Sequence, residues 1–448
     1  MRKINGFKAY DIRGKVPGEL NTELAYKIGR AYPKNIDAKH IVVGYDIRKS
    51  SIEISEALIK GLNDSGVNVT NLGLCGTEMI YFATPHLDAD GGIMITASHN
   101  PPEYNGMKFV RKDSVPVGYS SGLNEVEQMI LENNFSDVKV EKGTVTDVDV
   151  MDDFINNLNQ FYDVKKISPL KVVVNGGNGC VGLALNAIEP KLPIEMIKVF
   201  NEPDSDFPNG VPNPMIVENR KPTIEAIKEH DADLGIAWDG DYDRCFFFDE
   251  KGNFIEGYYI VGLLAKSILK NHPGESIVHD PRLVWNTLEI VKQRGGKAVE
   301  SKSGHAFIKE KMREVNAIYG GEMSAHHYFR DNAYSDSGMI PFLLILQLMS
   351  EENKSLSALV SEMIETYPCS GEINSTVDDA AAAMKKVEAA YTDGKIDRVD
   401  GLSVEYSNWR FNLRMSNTEP ILRLNVESRA DEKLMKKKTK DLLKIIRN

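Results

Sequence analysis

Residues 40–72 read HIVVGYDIRKSSIEISEALIKGLNDSGVNVTNL and contain the pattern that decides the fold. Residues 40–44 are a short apolar run that predicts a strand, and apolar residues at helical spacing predict a helix over about 51–65. A second strand is predicted over 67–72, and a further apolar run follows at 92–96. Strands that alternate with helices in this way are typical of α/β units with largely parallel sheets.

The same alternation starts twice more, at residues 171–174 and at residues 276–278. Three starts predict three tandem α/β domains with mixed, largely parallel sheets, over residues 1–150, 151–252 and 253–367. The length of 448 residues agrees with this division, because it is too long for one hydrophobic core.

The C-terminal part, residues 368–448, has a different character. An acidic, alanine-rich helix over 378–390 is followed by strands near 402–406 and 422–426, and by a lysine-rich closing helix. A turn rich in proline and glycine precedes it, as is typical of a hinge. These features predict a smaller α+β domain at the end of the chain.

The composition limits the kind of protein. Hydrophobic residues make up 42% and charged residues 27%, which is typical of a globular protein. The formal net charge of −11 argues against a general affinity for nucleic acid or for an anionic membrane. The longest apolar stretch, residues 339–349, contains Pro341 and Gln347 and predicts a buried helix instead of a membrane span.

The N-terminal residues lack the apolar core of a signal peptide, and the four cysteines are scattered without a Cys-x-x-Cys pair. Both features favour a cytoplasmic protein with reduced thiols. We expect it to be a monomer or a homodimer.

Each predicted domain has one polar loop at the end of a strand, where α/β proteins place their chemistry. The loops are residues 96–101, 239–244, 321–326 and 414–420. One such loop per domain predicts a single cleft at the centre of the molecule.

Three aspartates alternate in the second loop, at Asp239, Asp241 and Asp243. Carboxylates this close repel one another unless a cation compensates, and hard oxygen ligands suit Mg²⁺. With Glu250 the spacing also imitates an EF-hand calcium loop, but Arg244 stands where that loop needs glycine, and the predicted flanks are strands. A solvated acidic turn is the plainer alternative. We favour a magnesium site.

Ser98 follows a predicted strand and is flanked by Thr96, His99 and Asn100. A serine in such a position is usually a turn or helix-capping residue. No Gly-x-Ser-x-Gly pattern surrounds it, so an acyl-transfer triad is not supported. Beside a bound Mg²⁺, its hydroxyl would suit a carrier of phosphate.

The third and fourth loops carry groups suited to hydroxyls and to phosphate. In the third loop, Glu322, Ser324 and His326 can exchange hydrogen bonds with hydroxyl groups, although a buried or capping histidine is equally common. In the fourth loop and the strand after it, a phosphate cradle is predicted from Arg414, Ser416, Asn417, Thr418 and Arg423. The alternative is a hydrophilic hairpin, because Arg423 alternates with leucines as on the exposed face of a strand.

Residues 177–182, Gly-Asn-Gly-Cys-Val-Gly, imitate a dinucleotide-binding fingerprint. They follow a predicted strand, and Glu202 lies about 20 residues further on. Nothing near them resembles a hydride-transfer site. We therefore interpret these glycines as a tight strand-to-helix turn.

Taken together, the four loops resemble those of the α-D-phosphohexomutase superfamily, and most of all those of bacterial phosphomannomutases. The resemblance extends from FKAYDIRG at residues 7–14 to the Arg414 loop, and TASHNP at residues 96–101 is a highly specific part of it. Residues 321–331 resemble the mannose-type version. The resemblance implies three α/β domains and a flexible fourth domain around one cleft.

The resemblance also implies a role for each matching position. Ser98 bears the phosphoryl group. Asp239, Asp241 and Asp243 bind Mg²⁺ together with Ser98, which contributes an oxygen of its phosphate. Beside the reacting hydroxyl lie Tyr10 and the catalytic groups Arg13 and Lys108, the latter as candidate acid or base. The sugar is bound by Arg244, Arg282, His305, Glu322, Ser324 and His326, the last of which is also a candidate catalytic group. The phosphate that does not react is bound by Arg414, Ser416, Asn417, Thr418 and Arg423.

The implied reaction converts mannose 6-phosphate and mannose 1-phosphate into each other. Phosphoserine gives its phosphate to the free hydroxyl, the 1,6-bisphosphate turns end over end, and its other phosphate returns to Ser98. The bisphosphate is therefore also the expected activator. Some phosphoglucomutase activity is expected, and the product would feed GDP-mannose and polysaccharide synthesis.

Other activities remain open from the sequence. They are a phosphatase or mutase that forms an aspartyl-phosphate at Asp239, a phosphoglucosamine mutase or phosphoglucomutase of the same superfamily, and a non-enzymatic phosphosugar sensor. Sequences of the aspartyl-phosphate kind prefer threonine or valine where Asp243 stands. The presence of both Ser98 and the three aspartates argues against the sensor.

Overall fold

The computed structural model describes residues 3–135, 141–415 and 421–447. Contacts divide the chain into two compact units. The first unit consists of Met1–Phe254 with Tyr328–Asn353, and the second consists of Ile255–His327 with Lys354–Asn448.

The helices and strands of the first half of the chain alternate as predicted. Up to residue 150 they are β1 (Ile12–Lys15), α1 (Thr22–Ile36), β2 (His40–Tyr45), α2 (Ser51–Asn63), β3 (Asn68–Leu74), α3 (Thr77–His86), β4 (Gly91–Ile95), β5 (Tyr104–Arg111), β6 (Val115–Pro116), α4 (Leu123–Leu131) and β7 (Val145–Asp147). From there to residue 255 they are α5 (Met151–Leu158), β8 (Lys171–Asn175), α6 (Val181–Ile188), β9 (Glu195–Val199), α7 (Lys221–His230), β10 (Leu234–Trp238), β11 (Cys245–Phe248) and β12 (Phe254–Ile255).

The second half continues the alternation and then changes. Up to residue 366 the elements are α8 (Gly257–Asn271), β13 (Ser276–His279), α9 (Trp285–Gln293), β14 (Lys297–Glu300), α10 (His305–Val315), β15 (Tyr319–Gly321), β16 (His327–Phe329), β17 (Ser335–Asp336), α11 (Met339–Glu352) and α12 (Leu356–Thr366). The rest are β18 (Ile373–Thr376), α13 (Ala380–Ala390), β19 (Lys395–Asp397), β20 (Leu402–Glu405), β21 (Trp409–Met415), β22 (Ile421–Ser428) and α14 (Glu432–Ile446).

The first sheet is mixed, with the strand order β1-β5-β4-β2-β3-β7 and with β6 paired to β5. β2 pairs in parallel with β3 and β4, whereas β5 pairs antiparallel with β1 and β4. The strand predicted over 67–72 lies at Asn68–Leu74, so it begins one residue later and ends two residues later. Apolar side chains of α1 and α2 pack with those of the central strands into one buried core.

The second sheet has the strand order β12-β11-β10-β8-β9. β8 pairs in parallel with β9 and β10, and β10 pairs antiparallel with β11. The loop between β10 and β11 carries the three aspartates, so strands flank it on both sides and the EF-hand alternative is wrong. The glycine-rich segment between β8 and α6 is the predicted strand-to-helix turn, with Gly177 at a φ of +56°.

The apolar stretch at 339–349 forms the buried helix α11, as predicted, and α11 belongs to the first unit. Phe342 of this helix meets Trp238 of β10 edge to face, with ring centroids 5.7 Å apart. The indole N–H of Trp238 donates to the carbonyl of Gly338 at 3.1 Å, just before the helix. Within the same unit, β16 pairs antiparallel with β17 through Tyr328 and Phe329.

In the second unit, β13 pairs in parallel with β14 and with β15. The C-terminal sheet has the strand order β18-β22-β21-β20-β19, and all four of its neighbouring pairs are antiparallel. Buried side chains of α13 and α14 pack with this sheet. The alternation of strands with helices therefore stops where the sequence predicts the α+β part.

Among residues 3–135, 141–415 and 421–447, no helix combines the length and the apolar character needed to cross a bilayer.

Candidate active site

Ser98 lies in a tight loop directly after β4. Its φ of 50° is in the left-handed region, which is unfavourable for a residue with a side chain and is found preferentially at functional sites. Its backbone N–H donates to Oγ1 of Thr96 at 2.8 Å, which stabilises this conformation. Ser98 is buried.

Arg48 binds the backbone of this loop. This role was not predicted from the sequence. Its guanidinium donates to four backbone carbonyls at distances of 2.6 to 3.0 Å, those of Ser98, Asn100, Pro101 and Tyr104. Asp46 provides the counter-charge at 3.2 Å. Because the guanidinium is planar and rigid, it constrains the loop in more than one direction at once.

The three aspartates of the β10–β11 loop are completely buried, with exposed fractions of 0%, 0% and 1%. One oxygen from each lies within 4.8 Å of the other two. The Oδ1 atom of Asp241 has no hydrogen-bond partner, although it is buried. A buried, unpaired carboxylate oxygen is costly, and a hard cation would satisfy it. The residues present therefore fit a magnesium ion.

The serine and the aspartates are in direct contact. Oγ of Ser98 donates to Oδ2 of Asp239 at 2.8 Å, and Nε of Arg244 donates to the same oxygen at 2.8 Å. A second nitrogen of Arg244 lies 3.1 Å from Oγ of Ser98. Burial raises the pKa of Asp239 to about 6, although Arg244 opposes this rise. The structure thus places Arg244 at the serine hydroxyl.

Lys108 of β5 is buried among the same carboxylates. Its ammonium lies 2.7 Å from Oδ2 of Asp241 and also contacts Oδ2 of Asp243. Burial alone would lower the pKa of Lys108, but Asp241, Asp243 and Asp336 together raise it above its ordinary value. Lys108 is therefore charged in this arrangement, and a charged ammonium can donate a proton but cannot accept one.

Two further side chains connect neighbouring elements to this site. Arg13 of β1 donates to Oδ1 of Asn100 at 2.7 Å and pairs with Asp11 at 2.6 Å. Thr77, at the start of α3, donates its hydroxyl to Oδ2 of Asp241, and its backbone N–H donates to the carbonyl of Asp241 at 3.1 Å. Thr77 was not predicted from the sequence.

We call this group the serine–aspartate cluster: Ser98, Lys108, Asp239, Asp241, Asp243 and Arg244. All of its members belong to the first unit. Arg13 lies next to it through Asn100, and Tyr10 is half-buried close by in the sequence.

The remaining predicted residues that the structure describes belong to the second unit. Arg282 is buried and is bound by Asp280, with its Nε and Nη2 at 3.0 and 2.9 Å from the two carboxylate oxygens. Its Nη2 also donates to Oγ of Ser324 at 3.1 Å and lies 3.4 Å from Oε1 of Glu322. Asp280 thus fixes the direction of Arg282 and was not predicted.

Glu322 organises the third loop. It accepts the backbone N–H of Gly304 at 2.8 Å, and Nδ1 of His326 lies 3.3 Å from its Oε2. Gly304 directly precedes His305, the first residue of α10. The structure therefore brings the predicted sugar-binding residues Glu322, Ser324, His326 and His305 into one neighbourhood.

Arg414 and Arg423 lie directly opposite each other on β21 and β22. Both approach the buried carboxylate of Glu372, at 3.2 and 3.5 Å. Arg282 approaches the same carboxylate at 3.4 Å. We call this second group the arginine–carboxylate cluster: Arg282, Glu322, Glu372, Arg414 and Arg423. The predicted phosphate-binding residues Ser416, Asn417 and Thr418 lie outside the described residues.

Comparison with known protein families gives four matches in chain order. They are the alpha/beta/alpha domains I, II and III of phosphoglucomutase/phosphomannomutase, at residues 5–137, 152–252 and 256–367, and its C-terminal domain at residues 372–444. The chain belongs to the phosphoglucomutase/phosphomannomutase family. The predicted fold class, three α/β domains followed by a smaller C-terminal domain, is confirmed.

Members of this family match the chain over its whole length. A protein of Xanthomonas campestris pv. campestris called "Phosphohexose mutases" is 53% identical over 448 residues, with 99% of each chain covered. A "Phosphomannomutase" of Salmonella montevideo is 52% identical over 454 residues, with 100% of each covered. A solved structure of a family member from Burkholderia thailandensis has a TM-score of 0.87 at 30% identity, with 100% of this chain and 98% of that chain covered.

Proposed function

We propose that the protein is a phosphomannomutase, an isomerase that interconverts mannose 6-phosphate and mannose 1-phosphate by intramolecular phosphate transfer. One structural observation carries this proposal: the hydroxyl of Ser98 lies 2.8 Å from a carboxylate oxygen of a buried aspartate trio. Full-length relatives named phosphomannomutase, at 51–52% identity, support the choice of substrate class.

Ser98 is the proposed carrier of the phosphate. The bond between Oγ and phosphorus breaks as the oxygen of the free sugar hydroxyl bonds to phosphorus. The proton that this hydroxyl loses ends, overall, on the departing Oγ, so the products are the serine hydroxyl and the 1,6-bisphosphate. The other phosphate of the bisphosphate then returns to Oγ, and the isomeric monophosphate leaves. Arg13 and Lys108 are proposed to lie beside the reacting hydroxyl. The charged Lys108 can donate a hydrogen bond to the attacking oxygen, and it can supply a proton to the sugar oxygen that leaves when the other phosphate returns to Ser98. The bisphosphate is the proposed activator, because it regenerates the phosphoserine.

Asp239, Asp241 and Asp243, with an oxygen of the Ser98 phosphate, are the proposed ligands of Mg²⁺. Three buried carboxylates within 4.8 Å of one another, and the unpaired Oδ1 of Asp241, support this assignment. When bound, the ion would neutralise charge on the phosphoryl group during transfer. Arg244 remains beside Oγ of Ser98, where it can stabilise charge on the leaving oxygen.

The proposed ligands of the sugar are Tyr10, Arg244, Arg282, His305, Glu322, Ser324 and His326, and His326 is also a proposed catalytic group. The proposed ligands of the phosphate that does not react are Arg414, Arg423, Ser416, Asn417 and Thr418. Two arginines opposite each other on adjacent strands support the phosphate assignment, because guanidinium groups bind phosphate in a bidentate manner. We propose some activity on glucose phosphates, a cytoplasmic location, a monomeric or homodimeric state and a place in GDP-mannose synthesis.

The aspartyl-phosphate alternative is not favoured. Oδ2 of Asp239 already accepts hydrogen bonds from Ser98 and from two nitrogens of Arg244. The other oxygen, Oδ1, accepts the backbone N–H of Arg244 at 3.3 Å, so both oxygens of Asp239 are hydrogen-bonded and therefore less nucleophilic.

The deciding experiment replaces the serine. Ser98→Ala should lower turnover of mannose 1-phosphate by at least about 10³-fold, because the phosphate carrier is lost. Intact-mass analysis should find one phosphate in a fraction of wild-type molecules and none in the variant. Ser361→Ala, at an exposed position of α12, is the matched control and should keep both activity and phosphate. Near-normal turnover by Ser98→Ala would refute the phosphoserine mechanism.

A further inference from the structure

Three arginines of the second unit converge on a single carboxylate, that of Glu372. Oε2 lies 3.2 Å from Arg414 and 3.4 Å from Arg282, and Oε1 lies 3.5 Å from Arg423. The side chain of Glu372 is only 4% exposed. Asp280 and Glu322 also pair with Arg282, so Glu372 is the buried carboxylate that Arg414 and Arg423 share.

The backbone explains how these charges come together. Glu372 directly precedes β18, which pairs antiparallel with β22 so that Asn374 lies opposite Arg423. On the other side of β22, Arg423 lies opposite Arg414 of β21. Like charges directly opposite each other on neighbouring strands are destabilising. The carboxylate of Glu372 contacts both arginines and offsets this repulsion.

The other carboxylates nearby are engaged differently. Asp280 binds Nε and Nη2 of Arg282. Asp400 lies 4.0 Å from Arg414. Burial would raise the pKa of Glu372, but the three arginines lower it below its ordinary value, so Glu372 is ionised at neutral pH. Glu372 therefore presents a permanent negative charge to the three arginines.

We propose that Glu372 is an internal counter-ion that competes with the phosphate of the substrate for Arg414 and Arg423, and so limits how tightly that phosphate is held. This inference rests on the proposed function, in which these two arginines bind the phosphate that does not react. A carboxylate and a phosphate oxygen pair use the same guanidinium fork. The phosphate must displace Glu372 or bind beside its negative charge, and both cost binding free energy.

The test removes the charge and keeps the shape. Glu372→Gln should lower the Kd for mannose 6-phosphate and for inorganic phosphate about tenfold, equivalent to about 1.4 kcal/mol. Isothermal titration calorimetry measures both constants without relying on turnover. Glu432→Gln, which removes an exposed carboxylate on α14, is the matched control and should leave both constants unchanged. Glu372→Asp keeps the charge and should stay close to the wild-type Kd.

Glu372→Gln also leaves three arginines without their shared counter-ion, so the variant should unfold at a lower temperature. Added phosphate should raise the unfolding temperature of the variant more than that of the wild type, because at equal concentration a ligand with a lower Kd stabilises the folded state more. If the variant needs phosphate to fold, this phosphate-dependent shift replaces calorimetry as the measurement.

A Kd that is unchanged or higher in Glu372→Gln, with wild-type binding intact, would overturn the role of Glu372 and leave the phosphomannomutase proposal standing. Absence of binding to the wild type would instead overturn the phosphate cradle itself, and the inference with it.

Discussion

Gly240 lies between Asp239 and Asp241, two of the proposed metal ligands, and offers a sharp test of how the serine loop is positioned. A Cβ atom added to Gly240 would lie 2.5 Å from the carbonyl oxygen of Ser98. Ordinary contacts begin at 3.4 Å, so Gly240→Ala must separate the two loops by 3.4 − 2.5, about 0.9 Å. The obstacle is backbone, and Arg48 holds that same carbonyl at 2.9 Å, so a side-chain rotation cannot relieve the clash.

The expected loss follows from this displacement. A shift of about 1 Å between reacting groups can lower a rate about 10²-fold. Forcing an extra carbon into a packed interior costs about 1–3 kcal/mol of stability. We therefore expect Gly240→Ala to lower kcat about 10²-fold and to reduce the free energy of unfolding by about 1–3 kcal/mol.

The assay follows the conversion of mannose 1-phosphate with bisphosphate present, and urea unfolding reports stability. Gly18→Ala is the matched control, because a Cβ atom at Gly18 would meet no atom within 4 Å. It should keep full activity and stability. If Gly240→Ala retains the kcat of Gly18→Ala, the close approach of the two loops does not govern transfer, and the reasoning from this distance is wrong.

Four other outcomes are expected. Chelation should abolish activity and Mg²⁺ should restore it, with Asp241→Asn lowering kcat more than it raises KM; full activity in excess chelator would exclude the metal role. Thr77→Val should weaken Mg²⁺ affinity in calorimetry about 10-fold or more, whereas Thr77→Ser, which keeps the hydroxyl, should not; equal affinities would show that this hydrogen bond does not orient Asp241. Arg414→Ala should raise KM by an amount equivalent to about 2 kcal/mol, with little change in kcat; an unchanged KM would remove Arg414 from the phosphate site. Glucose 1-phosphate should be used with a kcat/KM roughly 10- to 200-fold lower than that of mannose 1-phosphate, because Glu322 and Ser324 suit hydroxyls that both sugars share. A ratio of the two kcat/KM values above about 10⁴ would show that a residue of the site binds the 2-hydroxyl, the group at which the two sugars differ.

The elements nearest the predicted serine and metal sites follow from local sequence. The strand–loop–strand arrangement of residues 234–248 is confirmed, because apolar runs and a polar turn with three aspartates determine it without distant partners. The buried helix α11 is confirmed for the same reason. The roles of individual site residues remain predictions.

Arg48 and Glu372 show what the sequence pattern could not predict. Arg48 donates hydrogen bonds to backbone carbonyls 50 to 56 positions away. Every residue has a backbone carbonyl, so the sequence does not indicate which carbonyls an arginine will bind. Glu372 meets Arg282 from 90 positions away, and it meets Arg423 because β18 pairs with the last strand of the C-terminal sheet. Pairing of distant strands depends on the tertiary fold, which residue spacing does not encode. The domain limits and the central cleft also remain predictions.

The discontinuity of the first unit has a consequence for biosynthesis. Its segment Tyr328–Asn353 follows 73 residues that belong to the second unit, Ile255–His327. Ribosomes release the chain from its N-terminus, and domains generally fold as units when their residues emerge. The side chain of Trp238 therefore cannot form its contacts with Phe342 and with the carbonyl of Gly338 until those residues have been synthesised. A nascent chain that stalls before residue 339 leaves exposed the apolar surface of the first unit that α11 covers in the complete fold.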